Sequence, residues 1–291
     1  MPLKTIAATI FEYGLIALGW ILIWRLQFSA AAKNHRKNPV PLPRWDVPSV
    51  NFAMAAFCVY IGWFASSALM GIILQSFPAL RKDEPLMVII GGALSQLSII
   101  AGAAAGAFYL RKTNQHTQVD LSSKPIGATA PAETRIIRAA IVTFVITVAV
   151  IYPVQWLWEQ VLLFCHLPTA KQEMVEMFYR TASPARVAGL TAMAVLFAPV
   201  AEELVFRAGL FRFLRDRTPR WVALGLPSLV FASLHVNRTT FEGLITLAPL
   251  TAFGVIFSLA YERTGRITVV MIAHALFNLH TVIFLLLGLS N

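Results

Sequence analysis

Between Thr5 and Leu289 the chain reads as eight apolar runs separated by polar segments: Thr5–Leu26, Asn51–Phe77, Leu86–Leu110, Ile136–Phe164, Val187–Leu210, Trp221–Val236, Gly243–Tyr261 and Ile267–Leu289. A helix needs roughly 20 mainly apolar residues to cross a bilayer. Inside lipid only helices and closed barrels satisfy their own backbone polar groups. The runs therefore predict an all-α polytopic membrane helical bundle with about eight transmembrane helices. Composition agrees: 13 % of residues are charged, against about 25 % in soluble domains. Two runs are irregular. Trp221–Val236 is short, and Val187–Leu210 is broken near Pro199 and continues as an amphipathic piece, Phe211–Arg217. Ala30, Ala31 and Ala32 resemble a signal cleavage site. The first run is longer than the usual signal core of roughly 7–15 residues, and Trp20, Trp24 and Arg25 suit interface anchors, so it is read as a span.

The net charge of +10 raises nucleic-acid binding as a function class. The basic residues instead fall in short blocks between apolar runs, the pattern that marks cytoplasmic loops. Sixteen of the 24 Lys and Arg belong to loops after odd-numbered runs or to the run ends beside them (Arg25, Arg138) and seven to the opposite side, with Arg207 deep inside a run. This predicts cytoplasmic odd-numbered loops, both termini outside, a multi-pass integral membrane protein (in the cell membrane, if bacterial), the lipid bilayer as partner, and no nucleic acid. Two longer linkers, Gln27–Val50 and Arg111–Arg135, stand out, the second read as flexible from its Ser, Thr, Ala and Pro content. A boundary near residue 135 divides an N-terminal region with three helices, 1–135, from a five-helix unit, 136–291. Cys58 and Cys165 have no CxxC partner and are read as buried thiols.

A charge in the bilayer core costs several kcal/mol, so ionisable groups inside the runs are functional candidates. All four Asp (Asp46, Asp83, Asp120, Asp216) fall in loops, which leaves Glu12, Glu159, Glu202, Glu203, Arg207, His235, His274 and His280, with Asn278 as a neutral polar residue. Glu203 and Arg207 stand at i, i+4 and can pair on one helix face. Glu202 points about 100° away and is the carboxylate left over. The competing reading is that both Glu solvate Arg207 or face a wet cleft. In "FASLHVN", Phe231 and His235 are also i, i+4. If runs five and six form a hairpin around residue 218, Glu202 and His235 lie at nearly the same depth. In "HALFN", His274 and Asn278 form one polar patch on an apolar helix, read either as functional or as an interhelical hydrogen-bond pair. His280 is read as structural, and Glu12 and Glu159 as packing or interface residues.

A free carboxylate, an imidazole and an imidazole–amide pair suit peptide-bond hydrolysis. The carboxylate takes a proton from water, His235 holds that water, and His274 and Asn278 donate to the oxyanion. The chain has no GxSxG, no HExxH and no Asp inside an apolar run, which removes the usual serine, zinc-helix and aspartyl alternatives. A transporter would spread its polar residues over several parts of the chain. Here they concentrate in the last 90 or so residues. A catalytically silent scaffold or immunity protein is the other alternative.

The ordered trio EExxxR ("EELVFR"), FxxxH ("FASLH") and HxxxN ("HALFN") resembles the CPBP family, which comprises type II CAAX prenyl endopeptidases and related bacteriocin-processing and self-immunity membrane proteins. The resemblance covers about Leu190 to Leu286. It implies an all-helical membrane endopeptidase acting on a membrane-associated or lipidated peptide or protein. Glu202 would be the base, His235 its water-binding partner, and His274 with Asn278 would sit at the oxyanion. Glu203, Arg207 and Phe231 would support the motifs. Family members often carry Gly directly after the Arg, whereas here Ala208 precedes Gly209. The family is commonly labelled metalloprotease. Glu202, His235 and His274 would be the ligands if zinc is bound, and a metal-free, glutamate-activated water is the competing account.

Overall fold

The computed structural model describes residues 3–30, 32–33, 42–113, 133–169, 173–237, 241 and 243–288. Ala31, Asp120 and most of the Arg111–Arg135 linker lie outside the described residues, as does the centre of Gln27–Val50. Among the described residues there are helices and no strands. They are α1 (Leu3–Phe28), α2 (Ser49–Ser76), α3 (Glu84–Thr113), α4 (Glu133–Phe164), α5 (Glu173–Arg180), α6 (Pro184–Arg215), α7 (Arg220–Ser233), α8 (Leu247–Thr264) and α9 (Ile267–Leu286).

Seven of these are long and apolar enough to cross a membrane: α1, α2, α3, α4, α6, α8 with its preceding 3-10 turn, and α9. The chain is a multi-pass integral membrane protein. The sixth run departs from expectation. Apolar residues continue to Val236, but α7 stops at Ser233 after 14 residues, a rise of only about 21 Å. Ser233, His235 and Asn237 form the polar turn that ends it. The fifth run departs in the other direction, because Pro199 does not break it. A π-helical turn, Met193–Phe197, precedes the proline, with the Ala198 N–H donating to Met193 O. Its wider backbone spacing makes room for a ring that would strain a regular helix. The short helix α5 was not expected from the apolar pattern, being amphipathic and only eight residues long. Cys58 is half-buried, and Cys165, beyond the end of α4, is exposed rather than buried.

Burial separates two groups of helices. Only 6 % of the most apolar window is buried in each of α1, α2 and α3, against 33–39 % in α4, α6, α8 and α9. The first three therefore turn most of their surface outward, where lipid accepts residues such as Ile10, Phe57 and Phe108. Lipid gives no hydrophobic drive for helix association, so small residues and close backbone approach matter more. The α2–α3 hairpin follows this rule: a Cβ on Gly62 would stand 2.4 Å from Ser98 O, and one on Gly102 2.6 Å from Cys58 O.

The leading helices contact the rest of the bundle at several places. α1 packs along α4, and α3 along the start of α6, where Gly189 meets Ile89 and Gly92 meets Met193. The strap before α2 lies on the end of α6. The Trp45 N–H donates to Asp216 Oδ2 at 2.6 Å, Arg217 donates to the carbonyl of Val47, and Phe52 stacks on Phe213 at 3.9 Å. Between α4, α6, α7, α8 and α9 sits an aromatic core that includes Phe206, Phe211, Phe231, Phe253, Phe257 and Tyr261.

Candidate active site

Glu202 and Glu203 end a six-residue α-helical stretch of α6, Ala198–Glu203, held between the π-helical turns Met193–Phe197 and Leu204–Phe211. π-turns are rare and concentrate at functional sites. Glu203 is fully buried and Arg207 is 1 % exposed, with Nη1 donating to Glu203 Oε1 at 2.9 Å. The guanidinium also lies over the rings of Phe231, Phe253 and Phe257 at 5.0, 5.8 and 5.6 Å. The expected i, i+4 pair is thus present, inside a cage of three rings whose π faces attract a cation.

Helix α9 brings His274 to the same carboxylate. Its Nδ1 lies 2.9 Å from Glu203 Oε1, and its ring edge packs on Phe253 and Phe257. A carboxylate only accepts, so this bond places a hydrogen on Nδ1 and turns Nε2 toward Glu202. Nε2 is 3.7 Å from Glu202 Oε2, too far for a direct hydrogen bond. A water about 2.8 Å from both atoms would satisfy both. The Glu202 side chain is 20 % exposed and that of Glu203 is buried. Of the two adjacent carboxylates, only Glu202 is within reach of a substrate.

His235 sits in the turn just beyond α7, half-buried, with Nδ1 2.9 Å from Phe231 O. The Phe206 and Phe231 rings meet at 5.2 Å. His235 lies one turn beyond Phe231, and their rings are 4.8 Å apart. Asn278, one turn beyond His274, donates Nδ2 to the carbonyl of Ala194 at 2.7 Å. That carbonyl belongs to the first π-turn, so the amide fastens α9 to the irregular part of α6. Glu202, Glu203, Arg207 and His274 form one cluster of direct neighbours. His235 joins it through Phe231, and Asn278 through Ala194.

Residues 184–280 match the family model described as Rce1-like, type II CAAX prenyl endopeptidase Rce1-like. This segment begins with α6 and ends within α9, so it holds the whole cluster. This third of the chain is similar to that family, in agreement with the resemblance of its three motifs to the CPBP family. A curated protein of Bacillus subtilis (strain 168), "Putative membrane peptidase YdiL", is 32 % identical over 96 residues, which are 33 % of this chain and 37 % of that protein. The chain thus spans little more than a third of the length of the curated relative it matches. No solved structure matches it.

The zinc set suggested by the CPBP resemblance is not assembled: among the described residues no three His, Cys, Asp or Glu side chains are grouped to hold a metal ion. Of the remaining intramembrane candidates, Glu12 on α1 accepts a hydrogen bond from the Tyr152 hydroxyl on α4, a partner 140 residues away in sequence. His280 packs between Phe144 and Phe284, and Glu159 is half-buried near the end of α4. Sequence reasoning passed over Phe253 and Phe257, which shelter Arg207 and His274. Their i, i+4 spacing on α8 was the available signal.

Proposed function

We propose that the chain is a membrane-embedded endopeptidase that hydrolyses a peptide bond of a membrane-associated or lipidated substrate by a water activated at Glu202. The observation that carries this reading is the placement of His274 between two carboxylates, one buried and neutralised by Arg207, the other partly exposed. Glu202 takes a proton from the water, and the hydroxide adds to the scissile carbonyl carbon. His235 is assigned to hold the water, as the FxxxH resemblance implies. Asn278 has a second Nδ2 hydrogen for the developing oxyanion, since only one is needed for Ala194. His274 adds a donor through Nε2 when its ring carries both hydrogens. Protonated Glu202 then gives its proton to the leaving nitrogen as the C–N bond breaks, and one water is consumed. Glu203 and Arg207 hold His274 in place and touch no reacting atom.

The test is cleavage of a panel of fluorogenic lipidated peptides by the purified protein in detergent, with wild type and Glu202→Gln compared in the presence and absence of phenanthroline. Loss of a general base typically costs on the order of 10²–10⁴ in rate. The expected result is that loss in a folded variant, with no response to chelator. Equal rates for the two proteins would return the silent-scaffold reading. Chelator inhibition reversed by zinc would overturn the metal-free mechanism.

A further inference from the structure

At one end of the bundle, α1 and α4 part to leave a cleft of about 350 Å³. Arg25 enters it from the last turn of α1, and Arg135 and Arg138 from the first turns of α4. Leu22, Leu26 and Val142 supply the apolar part of its wall. We propose that this cleft binds the phosphate-bearing headgroup of an anionic phospholipid, with an acyl chain lying on Leu22, Leu26 and Val142.

Three observations favour this. The first is charge. Other arginines at the ends of this bundle have built-in partners: Arg186 with Asp83, Arg215 and Arg220 with Glu262, and Arg217 with the Val47 carbonyl. Arg25, Arg135 and Arg138 make no ion pair or side-chain hydrogen bond that involves described residues. Three like charges around one small cleft repel one another, and an anion between them relieves that repulsion. Arg forks also match phosphate oxygens in pairs.

The second is depth. α1 and α4 are both spanning helices, Lys4–Phe28 and Arg135–Phe164, and all three arginines lie at their ends. The adjacent Trp24 is 64 % exposed, as expected of an interfacial anchor. The cleft therefore lies at headgroup level. The basic loops after the first and third runs place this end of α1 and α4 on the cytoplasmic side, the leaflet where anionic lipids gather and where basic pockets between helices bind them.

The third is the mixed lining. A free phosphate has no use for Leu22, Leu26 and Val142, whereas a lipid places its charged and apolar parts side by side as this cleft does.

The experiment is thermal unfolding of the purified full chain in a neutral maltoside detergent. Phosphatidylglycerol, phosphatidylcholine or inorganic phosphate is titrated into wild type, Arg135→Gln/Arg138→Gln and Arg25→Gln, with Arg81→Gln/Lys82→Gln as a control at the other end. The expected result is a saturable rise in Tm with phosphatidylglycerol alone, kept in the control. Half-saturation should shift at least about tenfold in the double variant and by a smaller factor in Arg25→Gln. If the double variant fails to fold, Arg25→Gln decides. An equal response to phosphatidylcholine would overturn the proposal in favour of general lipid solvation. A response to inorganic phosphate at matching concentration would make it a free-anion site. An unchanged half-saturation in the folded variants would remove the arginines from any site.

Discussion

Replacing Glu203 by Gln removes the one carboxylate that, among the described residues, pairs directly with Arg207, while the volume of the side chain hardly changes. Arg207 then remains 1 % exposed with a charge and no counter-ion, and the Nδ1 hydrogen of His274 exchanges a charged acceptor for a neutral amide oxygen. Breaking a buried pair from one side costs about 3–5 kcal/mol. The three rings at 5.0–5.8 Å hold the guanidinium before and after the change, so they cancel in the difference and leave it as it stands. Replacing Arg207 by Met is less damaging, since Glu203 keeps His274, 2.9 Å away, as a second partner. At about 2–4 °C per kcal/mol, Glu203→Gln lowers Tm by about 6–20 °C, and Arg207→Met by less. Glu203→Gln/Arg207→Met removes both charges together and recovers part of the loss, which gives a coupling energy above about 1 kcal/mol. The assay is a double-mutant cycle from thermal unfolding in one detergent. Additive losses would refute the buried pair as an energetic unit. A larger loss for Arg207→Met than for Glu203→Gln would refute the part assigned to His274.

Asn278→Ala leaves the Ala194 carbonyl unpaired and removes an oxyanion donor, so kcat falls on the order of 10²–10³-fold while KM moves little; a pure KM effect would contradict the role. The guanidinium of Arg186 holds the Asp83 carboxyl below its usual range. A carboxyl depressed in the folded state stabilises above its unfolded pKa, about 3.9, and the contribution is lost as pH falls through the folded value. The Tm of Asp83→Asn therefore lies below wild type at pH 7, and the two converge below about pH 4; a constant gap across that range would contradict the pairing. A Cβ on Gly254 would stand 2.6 Å from Ser228 Cβ and 2.8 Å from its Cα. Gly254→Leu thus forces α7 off α8 at a cost of about 1–3 kcal/mol and lowers cleavage through displaced Phe231 and His235. Wild-type Tm and rate in that variant would show that the two helices are not held so closely.

What was legible in the sequence followed from rules that act along the chain. The apolar runs gave the spanning helices because a bilayer enforces length. The i, i+4 spacing gave the Glu203–Arg207 pair because one helix carries both. Features that depend on contacts between helices were hidden. Glu12 looked partnerless because Tyr152 is on another helix. His274 was expected beside an oxyanion, and its bond to Glu203, 71 residues away, has no local signature. Helix α7 was expected to reach Val236 because hydropathy ignores where Ser233 and His235 turn the chain. The break expected at Pro199 failed for the same reason, since the rule against proline assumes a regular helix on its N-terminal side.

The two π-helical turns that bracket Glu202 and Glu203 also bear on how this segment withstands changes in length. A wide turn holds one more residue than the α-helical turn it replaces. Removing a single residue from 193–197 can therefore be absorbed by closing that turn, with α6 still continuous and its outer surface still apolar. Because the wide turn takes up the lost residue, everything beyond it keeps its orientation, whereas the same deletion from a regular helix swings it by about 100° about the helix axis. Glu202 and Glu203 would still face His274. A chain shortened at this turn would keep its two glutamates among the same neighbours, which a helix of uniform pitch could not do.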